Sequence, residues 1–265
     1  MTTLLTMKGF NKKIDYLCFT ANTAGSTIAL NKQGSPNVVT LETSTDWQNW
    51  STYTFGSTIT LSNIWDKVYW RNTSETTTGF SKSTNAYYYF TMTWSIAASW
   101  DINYLLNKNS TDTLEYNYCY YYLFMQCTSL TSAPELTATM LTQNCYQFMF
   151  YWCTALTTPP QLVATTLANY CYAQMFRECT NLTTLPKIIA ITLNNYCCQL
   201  MFYWCSKIKI SQAQTWIYQT PYRIPDTWTW TAWTNALDRM FSSTWWTFKS
   251  TPTINTTYYT SNTVI

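Results

Sequence analysis

Histidine is absent from this sequence of 265 residues, and charged side chains make up only 10% of it. Without histidine, Ser-His-Asp and Cys-His nucleophilic mechanisms and mixed Cys/His zinc sites are excluded. The 12 acidic residues form no recognisable carboxylate pair for glycoside hydrolysis, and no glycine loop for binding phosphate is present. The sequence therefore predicts a protein that is not an enzyme, with no catalytic residue, no metal site and no cofactor.

The chain also lacks a basic cluster and a long apolar run. Its net charge is +3, so we expect no nucleic-acid partner. No stretch approaches the roughly 20 apolar residues of a membrane helix, and Lys8, Lys12 and Lys13 interrupt the N-terminus before an apolar run of signal-peptide length. We therefore expect no membrane span. We also expect export without a cleaved signal, for example by assembly into a virus particle released by lysis.

Glycine disappears from the second part of the chain. None follows Gly79, whereas average usage of roughly 7% would place about 13 in the remaining 186 residues (265 − 79). Ten tryptophans occur there instead.

Against these absences stands a strong internal repeat. Four segments, 119–127, 145–153, 171–179 and 197–205, each begin and end with cysteine, and successive segments are 26 residues apart (145 − 119). This period lies within the 20–29 residues of leucine-rich repeats. Three further columns share the step: Phe124, Phe150, Phe176 and Phe202; Leu130, Leu156, Leu182 and Ile208; and Pro134, Pro160 and Pro186.

The spacing inside each unit favours a helix followed by a strand. Cysteine, tyrosine, methionine or leucine, phenylalanine and cysteine lie at i, i+1, i+4, i+5 and i+8, which makes one stripe on a helix. The Thr/Leu alternation after the second cysteine suits a short strand that the proline ends. Stacking would bury the stripe, with the helices on the convex side because helices need more room than strands.

The ten cysteines leave three possibilities: disulfides, a metal site, or a ladder of buried unpaired thiols. The constant step places like next to like in neighbouring units, and no Cys-x-x-Cys pair occurs. We therefore favour the ladder, in which each thiol acts as a small apolar group. Cys18 and Cys198 lie outside it.

Together these patterns predict an α+β protein. It would have a small β-sandwich-like domain at 1–82, a connector or first atypical turn at 83–112, a leucine-rich-repeat solenoid at 113–212 and a divergent C-terminal cap at 213–265. Strands are expected at 27–31, 38–44, 58–61, 67–71, 87–93 and 252–259, a short helix at 101–106, and a capping repeat at 235–241.

The repeat resembles the BspA-like leucine-rich-repeat surface proteins of gut bacteria and of their tailed phages. Residues 145–167, with Met-Phe-x-x-Cys-Thr-x-Leu-Thr-x-x-Pro-x-Leu-x-Ala-Thr-x-Leu between them, carry the resemblance. Residues 18–71 and the tail resemble the family's β domain and cap. The resemblance implies adhesion or recognition at a surface and provides no catalytic residues.

One departure from that family is systematic. The family has glycine before the second repeat cysteine, where this chain has Trp152 and Trp204, and Trp47, Trp65 and Trp245 also lie in segments that look like glycine turns or loops. One hypothesis is that the gene uses UGA as a sense codon, so that these tryptophans are genuine replacements or glycines written as tryptophan. The alternative is a chain that evolved to be rich in tryptophan.

We therefore expect a non-enzymatic recognition or adhesion protein. We favour a phage virion component, such as a fibre, tail or head-decoration protein on the virion surface; a bacterial cell-surface adhesin and a purely structural assembly subunit are the alternatives. Expected partners are a protein or glycan on a cell surface, or other virion subunits, with homo-oligomers or a larger assembly. The outward positions of the repeat are the candidate binding residues: Tyr121, Tyr122, Gln147, Phe148, Tyr151, Gln174, Arg177, Glu178, Gln199 and Tyr203.

Overall fold

The computed structural model describes residues 15–77, 79–227, 231–233, 235–246 and 250–265. The described part is almost entirely β-strand and turn, with a single turn of 3-10 helix at Ile102–Leu105. The strands in chain order are β1 Leu17–Ala21, β2 Ser26–Gln33, β3 Leu41–Ser44, β4 Ser51–Thr52, β5 Ile59–Leu61, β6 Lys67–Asn72, β7 Tyr87–Met92, β8 Ile96–Ser99, β9 Leu130–Ser132, β10 Thr166–Leu167, β11 Thr184–Leu185, β12 Thr192–Leu193, β13 Lys209–Ser211, β14 Thr220–Arg223, β15 Thr231–Ala232, β16 Trp245–Trp246, β17 Thr257–Thr260 and β18 Thr263–Val264.

Two sheets form the N-terminal part. One has six strands in the order β4-β3-β6-β1-β8-β9, and the other has three in the order β5-β2-β7. Side chains from both sheets meet in the core, where the ring of Phe90 lies 4.9 Å from that of Phe19 and 5.3 Å from that of Trp70. Strands β2, β5, β6 and β7 fall where alternation predicts them, because each of these strands has one buried face.

The predicted fold class is wrong in the repeat. No α-helix occurs in the described residues, so the α+β solenoid of helix–strand units, with helices on its convex side, is not what the chain forms. Each cysteine-bounded segment is a run of β-turns, in which amides bond to the carbonyl three residues back, as Leu123 does to Tyr120. Every fourth residue is left-handed, with φ of 61° at Tyr118, 62° at Tyr122 and 61° at Gln126.

Period explains the error. A turn run with a four-residue repeat places two side chains inward and two outward, which buries i, i+1, i+4, i+5 and i+8. A helix of 3.6 residues per turn buries the same positions over nine residues. The apolar pattern therefore cannot distinguish the two. Residues such as tyrosine at left-handed φ are uncommon, so intrinsic propensity also favours the wrong answer.

The turn runs stack side by side. Amides that do not close turns bond to the next unit: Tyr120 N donates to Cys145 O at 2.8 Å, and Phe124 N donates to Met149 O at 2.9 Å. A column of nearly parallel rings crosses the stack, with adjacent centroids 5.2–5.7 Å apart. Its members are Phe90, Phe124, Phe150, Phe176, Phe202 and Phe241.

All ten cysteines are buried and unpaired, as the 26-residue spacing predicts. The second cysteine of each unit also has a polar role, because its thiol donates to a backbone carbonyl of the preceding layer. The Sγ–O distances are 3.2 Å for Cys127 to Phe90, and 3.0 Å for Cys153 to Phe124, Cys179 to Phe150 and Cys205 to Phe176.

The segment from residue 235 adds one more layer to the stack. Cys198 N donates to Ala236 O at 2.9 Å and Phe202 N to Met240 O at 2.9 Å, which is a step of 38 residues where the repeat has 25 (145 − 120). Strand β17 then pairs antiparallel with β13 and β14, near the predicted final strand. Part of the tryptophan-rich run at 227–234 lies outside the described residues.

Candidate recognition face

The outward positions of the turn runs form one continuous face. Consecutive units are joined at every second amide, so residues 26 apart lie beside each other in columns. Side chains at Tyr122, Phe148, Gln174 and Arg177 are half-buried, whereas the phenylalanine column beneath them is fully buried. The face therefore combines fixed positions with partly accessible side chains, as a recognition surface requires.

Aromatic contacts run across this face from layer to layer. The ring of Tyr122 lies 5.2 Å from that of Tyr87 and 5.0 Å from that of Phe148, which in turn lies 5.9 Å from that of Tyr151. Tyr203 continues the line one layer beyond Arg177. We call the set Tyr87, Tyr122, Phe148, Tyr151, Arg177 and Tyr203 the outer aromatic row.

Arg177 is the charged centre of the row. Its guanidinium carbon lies 5.4 Å from the ring centre of Tyr151 and 4.9 Å from that of Tyr203, within cation–π range of both. Its Nη1 donates to Gln174 Oε1 at 2.7 Å, and its Nε donates to Glu178 Oε1 at 3.1 Å. Two rings and two acceptors thus fix the plane of the guanidinium, leaving Nη2 without a protein acceptor among the described residues.

The tyrosines of the face remain neutral at ordinary pH. Burial raises the pKa of Tyr121, and the hydrogen bond and charge of Tyr122 raise it further. Burial also raises the pKa of Tyr151, with the Glu178 carboxylate adding to the shift and Arg177 opposing it. Burial, then Tyr122 and Tyr89, raise the pKa of Tyr87. The face therefore presents phenol hydroxyls, which donate and accept hydrogen bonds.

The ten candidate residues do not all occupy the same environment. Tyr121 is only 4% exposed, so it supports the face from beneath. Gln147 accepts a bond from Asn144 Nδ2 at 2.7 Å, and Gln199 donates to Asp238 Oδ2 at 2.8 Å. Phe148, Tyr151, Gln174, Arg177, Glu178 and Tyr203 form the connected centre together with Tyr122.

Sequence reasoning missed two members of the face. Tyr87 belongs to β7, outside the repeat, and reaches Tyr122 only because β7 is hydrogen-bonded to the first turn run through Phe90 N and Leu123 O at 2.8 Å. Asp238 lies in the layer that departs from the repeat interval. The paired rings at Tyr87 and Tyr89 were a usable signal for the first, because alternate strand residues share a face.

A second aromatic cluster lies on the N-terminal sheet. Arg71 lies 3.9 Å above the ring of Trp50, and its Nε and Nη2 both donate to Glu42 Oε2, at 2.9 and 2.7 Å. The cluster borders a polar cavity of about 390 Å³ that Tyr16 and Asn72 also line. Since Arg71 donates to Glu42 and stacks on Trp50, we assign this cluster a structural role.

Comparisons with family models, with curated proteins and with solved structures find no match to this chain. In the described part of the chain, no three of Cys, Asp and Glu come together as a metal-binding group. No helix there is long and apolar enough to cross a membrane.

Proposed function

We propose that the chain is a non-enzymatic recognition protein that binds glycan through the outer aromatic row. The observation that supports this is the position of Arg177, fixed between Tyr151 and Tyr203 with hydrogen-bond capacity left over. Sugars present apolar C–H faces, which stack on aromatic rings, and paired hydroxyls, which accept from a planar guanidinium.

The layered arrangement extends the same chemistry along a line. Tyr122, Phe148, Tyr151 and Tyr203 provide rings in successive layers, and Gln174 and Glu178 provide polar groups beside them. An extended ligand of several similar units, such as a polysaccharide chain, would meet one set of contacts in each layer. We therefore propose a linear glycan as the ligand class.

The setting that we propose is a surface, and a virion component remains the form that we favour. Low charge and high Thr, Ser and Asn content suit a polar, uncharged exterior. Detection of the chain by mass spectrometry in purified virus particles would support this location. Its presence only in the host cell envelope would support the bacterial adhesin instead.

Arg177→Ala tests the binding proposal. We expect the purified variant to bind a glycan array or immobilised polysaccharide at least tenfold more weakly than the unchanged chain, because about 1–2 kcal/mol of cation and hydrogen-bond energy is lost. Arg177→Lys should restore little, since lysine keeps the charge but not the planar fork. Lys187→Ala is the matched control, because it removes an exposed cation paired only with Asp226.

Equal glycan binding by Arg177→Ala, Lys187→Ala and the unchanged chain, all with the same thermal stability, would contradict the proposal. So would the absence of any glycan ligand for the unchanged chain together with strong binding to a protein partner.

A purely structural assembly subunit is the second candidate. Trp204, Trp233 and Trp245 are each more than half exposed, and large exposed aromatic groups usually mark contacts with other subunits. Analytical ultracentrifugation separates the two functions: a stable monomer that binds glycan favours recognition, and an obligate oligomer without glycan binding favours assembly.

A further inference from the structure

Left-handed backbone in the N-terminal part belongs to only two residue types. Among the described residues up to 100, positive φ occurs at Gly25, Gly34 and Gly56, with values of 77°, 63° and 87°. Every other such position there is a tryptophan. These are Trp47 (67°), Trp65 (73°), Trp94 (62°) and Trp100 (67°).

Tryptophan is a poor choice for this conformation. A side chain with a Cβ costs roughly 1–2 kcal/mol in the left-handed region, and for a bulky residue the conformation is an outlier. Glycine adopts it without that cost. Where a non-glycine residue must be left-handed, asparagine and aspartate are the usual choices, yet neither occupies any of these positions in the described part up to residue 100.

Trp65 shows the mismatch most clearly. Asp66 N bonds to Asn63 O at 3.3 Å, so Trp65 is the third residue of a turn that needs positive φ there, the place where type II turns take glycine. Its side chain is 71% exposed and that of Trp94 is 70% exposed, so neither indole gains from burial what the backbone loses.

Two tryptophans in the same region behave differently. Neither Trp50 nor Trp70 is left-handed. Trp70 is fully buried in the core, and Trp50 carries the Arg71 guanidinium on its ring. The N-terminal part therefore contains two classes of tryptophan, one placed by its side chain and one located where the backbone calls for glycine.

The repeat contains the second class as well. Trp152 and Trp204 have φ of 60° and 59°, and each is the third residue of a turn that ends at the following cysteine. Left-handed residues of other types also occur in the turn runs, so the conformation there is less diagnostic. The absence of glycine after residue 79 supplies the independent observation for these two positions.

We infer that these six tryptophans occupy glycine positions and that the polypeptide made in its native cell carries glycine there, because the gene writes them with UGA and the cell reads UGA as glycine. The positions are Trp47, Trp65, Trp94, Trp100, Trp152 and Trp204. The recognition face then presents tyrosine, phenylalanine, glutamine and arginine, without the exposed indoles of Trp152 and Trp204. The inference stands or falls separately from glycan binding, which uses none of the six.

Codons and peptide masses test the inference directly. We expect UGA at all six positions and UGG at Trp50 and Trp70. Peptide mass spectrometry of the protein purified from cells that carry the gene should then show glycine at the six and tryptophan at the two. UGG at the six positions would overturn the inference, and so would peptides that contain tryptophan at UGA.

Stability provides a second readout on the chain expressed from synthetic genes. Trp65→Gly and Trp94→Gly should raise the thermal unfolding midpoint, because they relieve left-handed strain and remove exposed indoles. Trp70→Gly and Trp50→Gly, the matched controls, should lower it through lost packing. A lower midpoint for both Trp65→Gly and Trp94→Gly would contradict the inference, whatever the controls show.

Discussion

At the scale of single residues, the second cysteine column shows why a thiol suits this core. Sγ of Cys153, Cys179 and Cys205 lies 3.0 Å from a carbonyl oxygen of the preceding layer. A turn run cannot satisfy all its carbonyls internally, and an unsatisfied buried carbonyl costs free energy. Cysteine fills a small apolar space and still provides a weak donor.

Serine substitution in the two columns tests that role. Cys179→Ser should keep about 1 kcal/mol more unfolding free energy than Cys171→Ser, because the new hydroxyl at 179 has the Phe150 carbonyl as acceptor. Cys171 is the matched control, since its thiol is equally buried but has no such carbonyl among the described residues. Urea denaturation measures both; equal losses would mean that the hydrogen bond contributes nothing.

The thiols also predict an alkaline limit to stability. Burial raises the pKa of Cys119 and Cys179 from 9.0 to about 12. Between these values the unfolded chain has lost protons that the folded chain keeps, so stability falls as pH rises. The contribution should be complete below about pH 9 and disappear towards about pH 12. Thermal unfolding across this range should show a falling midpoint; a constant midpoint would contradict the burial of the thiols.

At the scale of elements, the sequence was informative where periods differ and uninformative where they coincide. Alternation at period two is distinct from any helix, and so the positions of β2, β6 and β7 could be predicted. The stripe in segments such as 145–153 fits both a helix and a four-residue turn repeat. Left-handed residues such as Phe148 carry no sequence signal for the turn run.

Gln126 can decide between helix and turn run by the sign of one difference. It is exposed and has φ of 61°, with its amide bonded to Tyr151 O at 2.7 Å. Gln126→Gly should be more stable than Gln126→Ala by about 1 kcal/mol, because glycine accepts the left-handed backbone. In a helix the order reverses by a similar amount. Chemical denaturation of the two variants gives the sign.

The site follows the same division. The 26-residue columns identified Arg177, Tyr151 and Tyr203 as outward neighbours, and their contacts in the structure are close. Spacing alone could not show that Tyr121 is buried, since its outward position in a helix becomes an inward one in a turn run. Nor could it place Tyr87, whose contact depends on the pairing between β7 and the first unit.

At the scale of the whole molecule, one core cluster extends from Leu17 in the N-terminal sheets to Tyr258 in the last strands. The phenylalanine column joins its parts, beginning at Phe90 in β7 and ending at Phe241. The parallel pairing of β8 with β9 extends the N-terminal sheet into the first unit. The repeat is thus an extension of the N-terminal core, held at both ends by non-repeating segments.

Deletion of one repeat interval tests most directly whether identical layers stack at a fixed step. Removing residues 146–171, which is 26 residues (171 − 145), joins Cys145 to Tyr172 and keeps every column in register. Removing residues 146–170 shifts Met175, Phe176 and Cys179 by one position and turns core side chains outward. We predict cooperative thermal unfolding for the first variant and loss of cooperative unfolding for the second. Equal unfolding of the two variants, whether both fold or both fail, would contradict the stacked arrangement.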